Sequence, residues 1–192
     1  MLEATRGPVV LDLGAVQHDA ERADEDRWLH RHLAARFDRV VGVDMLEAAV
    51  EALNERGYEL VADDVETMDL GIEADSVVAG ELIEHVANPG LMLDRVAAHL
   101  KPGGRLVLTT PNPWYLHHVR RWLLGSMSIN DEHVAWYGPI VLRQLLDRHG
   151  FDVVSVEPVQ AWPHGPVGRV VKVLLPRMFM SSTWVCVAVR RP

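Results

Sequence analysis

Short runs dominated by Val and Leu alternate with helical patterns along most of this chain, and that alternation limits the possible folds more than any other feature. The runs are Val9 to Leu13, Val40 to Val43, Glu59 to Ala62, Ser76 to Ala79, Arg105 to Thr109 and Val153 to Val156. Runs without a polar face suit strands covered on both sides. Between them lie Asp26 to Arg36, Glu47 to Arg56 closed by Gly57, Pro89 to Leu100 closed by Lys-Pro-Gly-Gly, and Pro139 to His149 closed by Gly150, each with apolar residues at helical spacing. Strand and helix in turn predict an α/β fold with a doubly wound, Rossmann-like parallel sheet. The link from Val65 to Ala74 is too short for a crossover helix and predicts a turn or two. At 192 residues, 48% hydrophobic and 24% charged, the chain suits one domain, 1–192, with a sizeable core. It contains no internal repeat and no low-complexity tract.

Open sheets of this type bind ligands beyond the C-terminal strand ends, where strand order reverses. The residues there are Asp12, Leu13 and Gly14 after the first run, Asp44 and Met45 after the second, Asp63 and Asp64 after the third, and Gly80 to His85 after the fourth. Three of the four ends are acidic, which repels a pyrophosphate and favours a ligand carrying an ammonium, a sulfonium and ribose hydroxyls. A nicotinamide dehydrogenase is disfavoured for the same reason, and because Gly-x-Gly-x-x-Gly is absent. The net charge of -8 and pI near 5.6 argue against nucleic acid as a partner. Cys186, without a mate, reads as a buried strand thiol in a reducing compartment. Neither a leader nor a membrane span is apparent, so the expected location is cytoplasmic.

The ordered set VVLDLG, VVGVDM, VADDVETMDL, DSVVAGELIEHVANPG, LKPGGRLVLTTPNP and EHVAWYGPIVLRQLLDRHGFDVVSVEP resembles the class I S-adenosylmethionine-dependent methyltransferases over nearly the whole chain. The resemblance implies a seven-stranded sheet whose last strand, supplied by Thr183 to Val189, runs antiparallel. It implies S-adenosyl-L-methionine as cofactor. Asp44 matches the acid that takes both ribose hydroxyls, with Met45 beside it. Asp64 matches the acid facing the adenine amino group, with Val65 offering its backbone N–H to the ring. Asp12 and Gly14 belong to the turn approaching the methionine moiety, and Gly80 and Glu81 to the wall opposite.

The family turn usually reads Gly-x-Gly-x-Gly, whereas Gly14 is followed by Ala15, Val16, Gln17, His18, Asp19 and Ala20. Cβ atoms there restrict positive φ and close backbone approach. Two readings follow. In one, the Gln17 and His18 side chains replace backbone donors around the cofactor carboxylate. In the other, the loop has moved away and the chain is a non-catalytic module.

Glu81, Glu84 and His85 stand at i, i+3 and i+4 in GELIEHV, a spacing that on a helical turn brings three side chains to one face. Two carboxylates and an imidazole together call for a cation or a proton. Glu-x-x-Glu-His resembles the block of ubiquinone-pathway O-methyltransferases and of the 2′-O-methyltransferases of small-RNA ends, where it binds a divalent metal. The resemblance implies Glu81, Glu84, His85 and His133 as ligands for Mg²⁺ or Mn²⁺. The metal would lower the pKa of a substrate hydroxyl, most naturally that of a sugar, glycan or other vicinal diol. Without metal, His85 or His133 would serve as general base, for O- or N-methylation of a small metabolite.

The insertion 111–138 is rich in Trp, His and Arg and reads as a substrate lid, with Trp114, Tyr115, Trp122, Trp136 and Tyr137 as gripping candidates. The variable segment 160–180 contains GPVGRVVKVLLPRMFM, with Arg169, Lys172 and Arg177. It reads either as a core helix ended by Pro176 or as an amphipathic surface for peripheral membrane contact.

Overall fold

The computed structural model describes residues 1–16, 26–126, 130–160 and 176–192. Gln17, His18 and positions 161–175 of the variable segment lie outside the described residues. Seven strands form one sheet: β1 (Val9–Leu13), β2 (Arg39–Asp44), β3 (Leu60–Ala62), β4 (Ala74–Ala79), β5 (Leu100–Pro111), β6 (Phe151–Gln160) and β7 (Ser181–Arg190). Their order is β3-β2-β1-β4-β5-β7-β6. β1 pairs in parallel with both β2 and β4, so the order reverses at the C-terminal end of β1. β7 enters antiparallel between β5 and β6, as the resemblance implied.

The helices are α1 (Leu29–Ala34), α2 (Glu47–Glu55), α3 (Pro89–His99), α4 (Leu116–Leu123), α5 (Pro139–Arg148) and the single turn α6 (Arg177–Met180). Strand alternation divides them between two faces. Leu11 and Leu13 of β1 join Met92, Leu93 and Val96 of α3 and Leu142 and Leu146 of α5. Val10 points the other way, to Leu33 of α1. On that side Val50 and Leu53 of α2 pack with Leu60, Ala15 and Trp28. Gly42 is needed there for space: a Cβ would lie 2.8 Å from Leu60 Cγ, 2.9 Å from Ala15 Cβ and 3.0 Å from His30 Cε1.

Two expectations shift. The helix expected over Asp26 to Arg36 is shorter, because Trp28 is extended (ψ 111°) and spends its indole on a tertiary contact, so α1 starts at Leu29. Lys-Pro-Gly-Gly does not separate α3 from β5. Leu100 is already extended and pairs with Ala74, and the register then shifts so that Arg105 faces Ser76. The extra residues bulge from the strand, with Gly103 at φ +78° and Lys101 Nζ 2.7 Å from Asp75 Oδ1. Pro176 stands at the N-cap of α6, and the helix expected before it falls outside the described residues. Between Val65 and Ala74 there is a turn and no helix, as the short link required. Among the described residues no helix is long and apolar enough to cross a membrane.

Candidate active site

The chain leaves β1 through Gly14, whose φ of +68° is the left-handed conformation that favours glycine. The Gly14 and Ala15 N–H groups both donate to Val43 O, at 2.9 and 3.3 Å. Asp44 closes the end of β2: Val16 N–H donates to its Oδ2 at 2.9 Å and Leu46 N–H to its Oδ1 at 3.1 Å. Each carboxylate oxygen keeps a further lone pair, which suits two vicinal hydroxyls. Met45 beside it is exposed. Asp63 N–H donates to Asp44 O, tying the ends of β2 and β3 together. Asp64 then opens a turn, its Oδ1 accepting from Glu66 N–H at 2.9 Å and its carbonyl from Met68 N–H at 2.8 Å, and Val65 is buried within that turn.

Asp12 does not face this cluster as the sequence suggested. It is buried, and its Oδ2 lies 3.0 Å from His30 Nδ1, also buried. Desolvation pushes its carboxyl pKa up against the pull of His30, and the Asp44 charge adds to the rise. Asp12 is thus a strut beneath the turn. His30 escaped the sequence reading, as did Trp28, whose Nε1–H donates to Ala15 O at 2.7 Å. A histidine and a tryptophan on the apolar side of a short helix read as core, and their partners lie 18 and 13 residues away.

Beyond β4 the chain passes Gly80, and Glu81 N–H donates to both the carbonyl and Oγ1 of Thr109. Glu81 has φ +49°, which breaks the helical spacing assumed for Glu81, Glu84 and His85. The ligand atoms within 4.8 Å of one another are those of Glu84, His85 and His133; Glu81 is not among them. Its carboxyl is nonetheless raised by desolvation, with Thr109 and Thr183 pulling it down. Glu84 is fully buried. Its Oε2 accepts from Thr110 Oγ1 at 3.0 Å, and its Oε1 has no hydrogen-bond partner among the described residues. Burial, with a contribution from the Glu81 charge, pushes its pKa up to about 7.

His133 arrives from the distant insertion because Val134 and Ala135 N–H both donate to Glu84 O, at 2.9 and 3.3 Å. Its ring meets that of His85 edge to face, centroids 4.7 Å apart, and its Nδ1 is buried without a partner. Desolvation and the nearby His85 lower the His133 pKa against the opposing pull of the Glu132 charge. His85 Nδ1 stands 3.9 Å from Glu132 Oε2, too far for a hydrogen bond.

The aromatic residues of the insertion have different fates. Tyr137 is core, Trp114 stands edge to face with Trp184, and Trp136 meets His118 with centroids 5.3 Å apart. Trp122 is 63% exposed on α4, a helix with no buried residue. Cys186 is a buried strand thiol, its pKa pushed up to about 12 by burial.

Residues 3–156 match the family described as methyltransferase domain. The chain belongs to the class I S-adenosylmethionine-dependent methyltransferases. The ubiquinone biosynthesis O-methyltransferase of Nitrobacter winogradskyi is 33% identical over 142 residues, covering 66% of this chain and 53% of that protein. That of Idiomarina loihiensis is 30% identical over 119 residues, covering 58% and 46%. This methyltransferase thus spans about half the length of the curated relatives it matches. Among solved structures, a methyltransferase from Archaeoglobus fulgidus superposes with TM-score 0.72 at 18% identity, covering 98% of this chain and 89% of that one. The N-methyltransferase NodS of Bradyrhizobium japonicum, in complex with S-adenosyl-L-homocysteine, gives 0.63 at 16% identity, covering 100% and 82%. These two likenesses bear on the fold alone. In the methyltransferase described here, the acids at the ends of β2 and β3 and the cluster after β4 all stand on the edge of the sheet where its strand order reverses.

Proposed function

We propose that this methyltransferase transfers a methyl group to a hydroxyl oxygen, with a divalent cation, Mg²⁺ or Mn²⁺, held by Glu84, His85 and His133. One observation carries the metal reading. Two of the three clustered side chains, the buried Glu84 and the half-buried His133, each have a buried polar atom without a hydrogen-bond partner among the described residues, Oε1 and Nδ1, and such atoms are costly unless an ion or a proton meets them. One carboxylate and two imidazoles suit a divalent cation with open positions for substrate oxygens, as a vicinal diol of a sugar, glycan or catechol-like small molecule would supply. The ubiquinone-pathway names of the relatives favour O over N.

S-adenosyl-L-methionine supplies, when bound, an electrophilic methyl on a sulfonium sulfur. Asp44 and Asp64 hold its ribose and adenine, and Gly14 lets the backbone come close to its methionine end. A cation in the cluster would polarise the acceptor hydroxyl. The hydroxyl proton would then pass to solvent as the oxygen gains the methyl, because His133 as a metal ligand has no free lone pair to take it. Should no metal bind, His85 or His133 would act as the general base for metal-free O- or N-methylation of a small metabolite.

Residues 111–138 act as a lid over this site within a single catalytic domain, 1–192, in a cytoplasmic setting consistent with the free Cys186 thiol. A peripheral membrane contact would fit α4. Leu116, Val119, Trp122 and Leu123 share one side of α4 and are exposed, while His117, His118, Arg120 and Arg121 form the other, with no acid among them. Sedimentation with anionic and with neutral vesicles tests that contact; equal recovery in the supernatant from both rejects it.

The deciding experiment is calorimetric titration of chelator-treated protein with S-adenosyl-L-methionine, then with Mg²⁺ and Mn²⁺, for wild type and Glu84→Ala. Metal heat that Glu84→Ala abolishes is the expected result. Cofactor heat with no metal signal rejects the metal, and no cofactor heat leaves the non-catalytic module.

A further inference from the structure

The turn after β1 keeps a close backbone path although residues with side chains follow Gly14. Ala15 and Val16 are 4% and 8% exposed and belong to a core cluster with Trp28, Val50, Leu53 and Leu60. Their side chains point inward, so their Cβ atoms do not crowd the space outside the turn.

Side chains from the start of α1 hold that inward course. Trp28 Nε1–H donates to Ala15 O at 2.7 Å in a buried setting. The indole is wedged edge-on against Tyr58, with centroids 4.7 Å apart, and lies 5.3 Å from the His30 ring. Two residues on, His30 Nδ1 meets Asp12 Oδ2 at 3.0 Å, directly before the turn. Gly42 supplies the room: its missing Cβ leaves space for both Ala15 Cβ and His30 Cε1. The far end of the turn is fixed by Val16 N–H on Asp44 Oδ2. Thus the turn is gripped at its carbonyl by Trp28, at its base by His30 and at its exit by Asp44.

We infer that Trp28 and His30 are positioning residues for the cofactor, replacing with a buried side-chain clamp the conformational freedom that the missing glycines would have supplied. The inference rests on the reading that S-adenosyl-L-methionine lies against Gly14–Val16 and Asp44. A glycine-rich turn adapts to its ligand by bending, whereas a clamped turn is preset, and its affinity depends on the clamp. Trp28→Phe keeps an aromatic ring in the wedge but removes the N–H, leaving the Ala15 carbonyl without that donor. His30→Leu removes the partner of Asp12, and His30→Gln restores a donor of similar reach.

The test is calorimetric S-adenosyl-L-methionine binding, paired with the thermal midpoint of the ligand-free proteins, for wild type, Asp44→Ala, Trp28→Phe, His30→Leu and His30→Gln. About tenfold weaker binding is expected for Trp28→Phe and for His30→Leu, beyond any change that follows the midpoint, with His30→Gln within about threefold of wild type. Wild-type affinity in Trp28→Phe and His30→Leu, with binding lost in Asp44→Ala, overturns the clamp while leaving the cofactor placement intact. Full affinity in Asp44→Ala overturns the placement itself. Should the Trp28 and His30 variants fail to fold, amide hydrogen exchange on the wild-type chain decides. The clamp requires Gly14, Ala15 and Val16 to be protected before cofactor is added, and exchange at the open-chain rate rejects it.

Discussion

Asp44 and Glu84 are both carboxylates beyond the C-terminal ends of strands of one sheet, and the fold treats them oppositely. Asp44 is half-buried, and each of its oxygens already accepts a backbone N–H, from Leu46 and from Val16. Glu84 is fully buried with one oxygen on Thr110 and the other unpaired, and its pKa is pushed up to about 7. The Asp44 end, proposed for the cofactor, is finished by the backbone itself. The Glu84 end, proposed for the methyl acceptor, is left with a charge that a proton or a cation would balance.

The largest expected effect breaks the finished side. Asp44→Ala removes charge-assisted hydrogen bonds to the turn together with the acceptors proposed for the ribose. It should weaken S-adenosyl-L-methionine binding at least about 100-fold, two such bonds at about 1.5 kcal/mol or more each, as read by calorimetry.

The unfinished side is tested through pH. The folded protein holds the Glu84 proton to about pH 7, whereas the unfolded chain releases it near the ordinary 4.5. Folded protein therefore binds more protons within that window, and the Glu84 contribution to stability falls as pH rises through it, by roughly 3 kcal/mol at about 1.4 kcal/mol per unit. Urea unfolding of wild type and Glu84→Gln at a series of pH values should show that decline in wild type only. Identical profiles would mean that the two carboxylates differ less than their surroundings suggest.

A cation should cancel the same penalty. At pH 8, Mn²⁺ at about 100 times its dissociation constant should stabilise wild type by about 2.7 kcal/mol, several degrees in the thermal midpoint, and leave Glu84→Gln and His133→Ala nearly unmoved. Thr110→Val, which removes a side-chain donor to Glu84, should extend the decline above pH 7 and cost about 1 kcal/mol at pH 8 in the same urea series. Trp122→Ala on α4 should change stability by less than about 0.5 kcal/mol, because nothing on that helix is buried, while reducing any binding to anionic vesicles.

Much of the sheet was legible because its strands are buried on both faces and therefore read as unbroken Val and Leu runs. β1 matches the expected Val9 to Leu13, whereas β6 and β7 extend beyond the expected runs to ten residues each. There Ser181 and Asp152 gain ladder partners that a hydropathy pattern does not register. The site was legible where residue type decides, at Glu84, His85 and His133, and less so where backbone conformation decides. Glu81 left the cluster because its φ is positive, and no spacing rule anticipates that in a glutamate. His30 was invisible because its partner, Asp12, becomes a neighbour only after α1 folds back beside β1. Gln17 and His18 were the obvious substitutes for the missing glycines in sequence, but the described part of the turn is held by Trp28, which has no motif.

One carbonyl links Glu84 to the stretch that carries His133. Glu84 O receives both Val134 and Ala135 N–H, so the residue whose side chain offers a ligand atom also seats the stretch that brings His133. On the proposed metal and lid, lifting of that stretch would carry His133 away and leave two of the three ligand atoms in place. Occupancy of the cluster and seating of that stretch would then be one equilibrium, and the lifetime of a cation there would act as a clock on how long it stays seated.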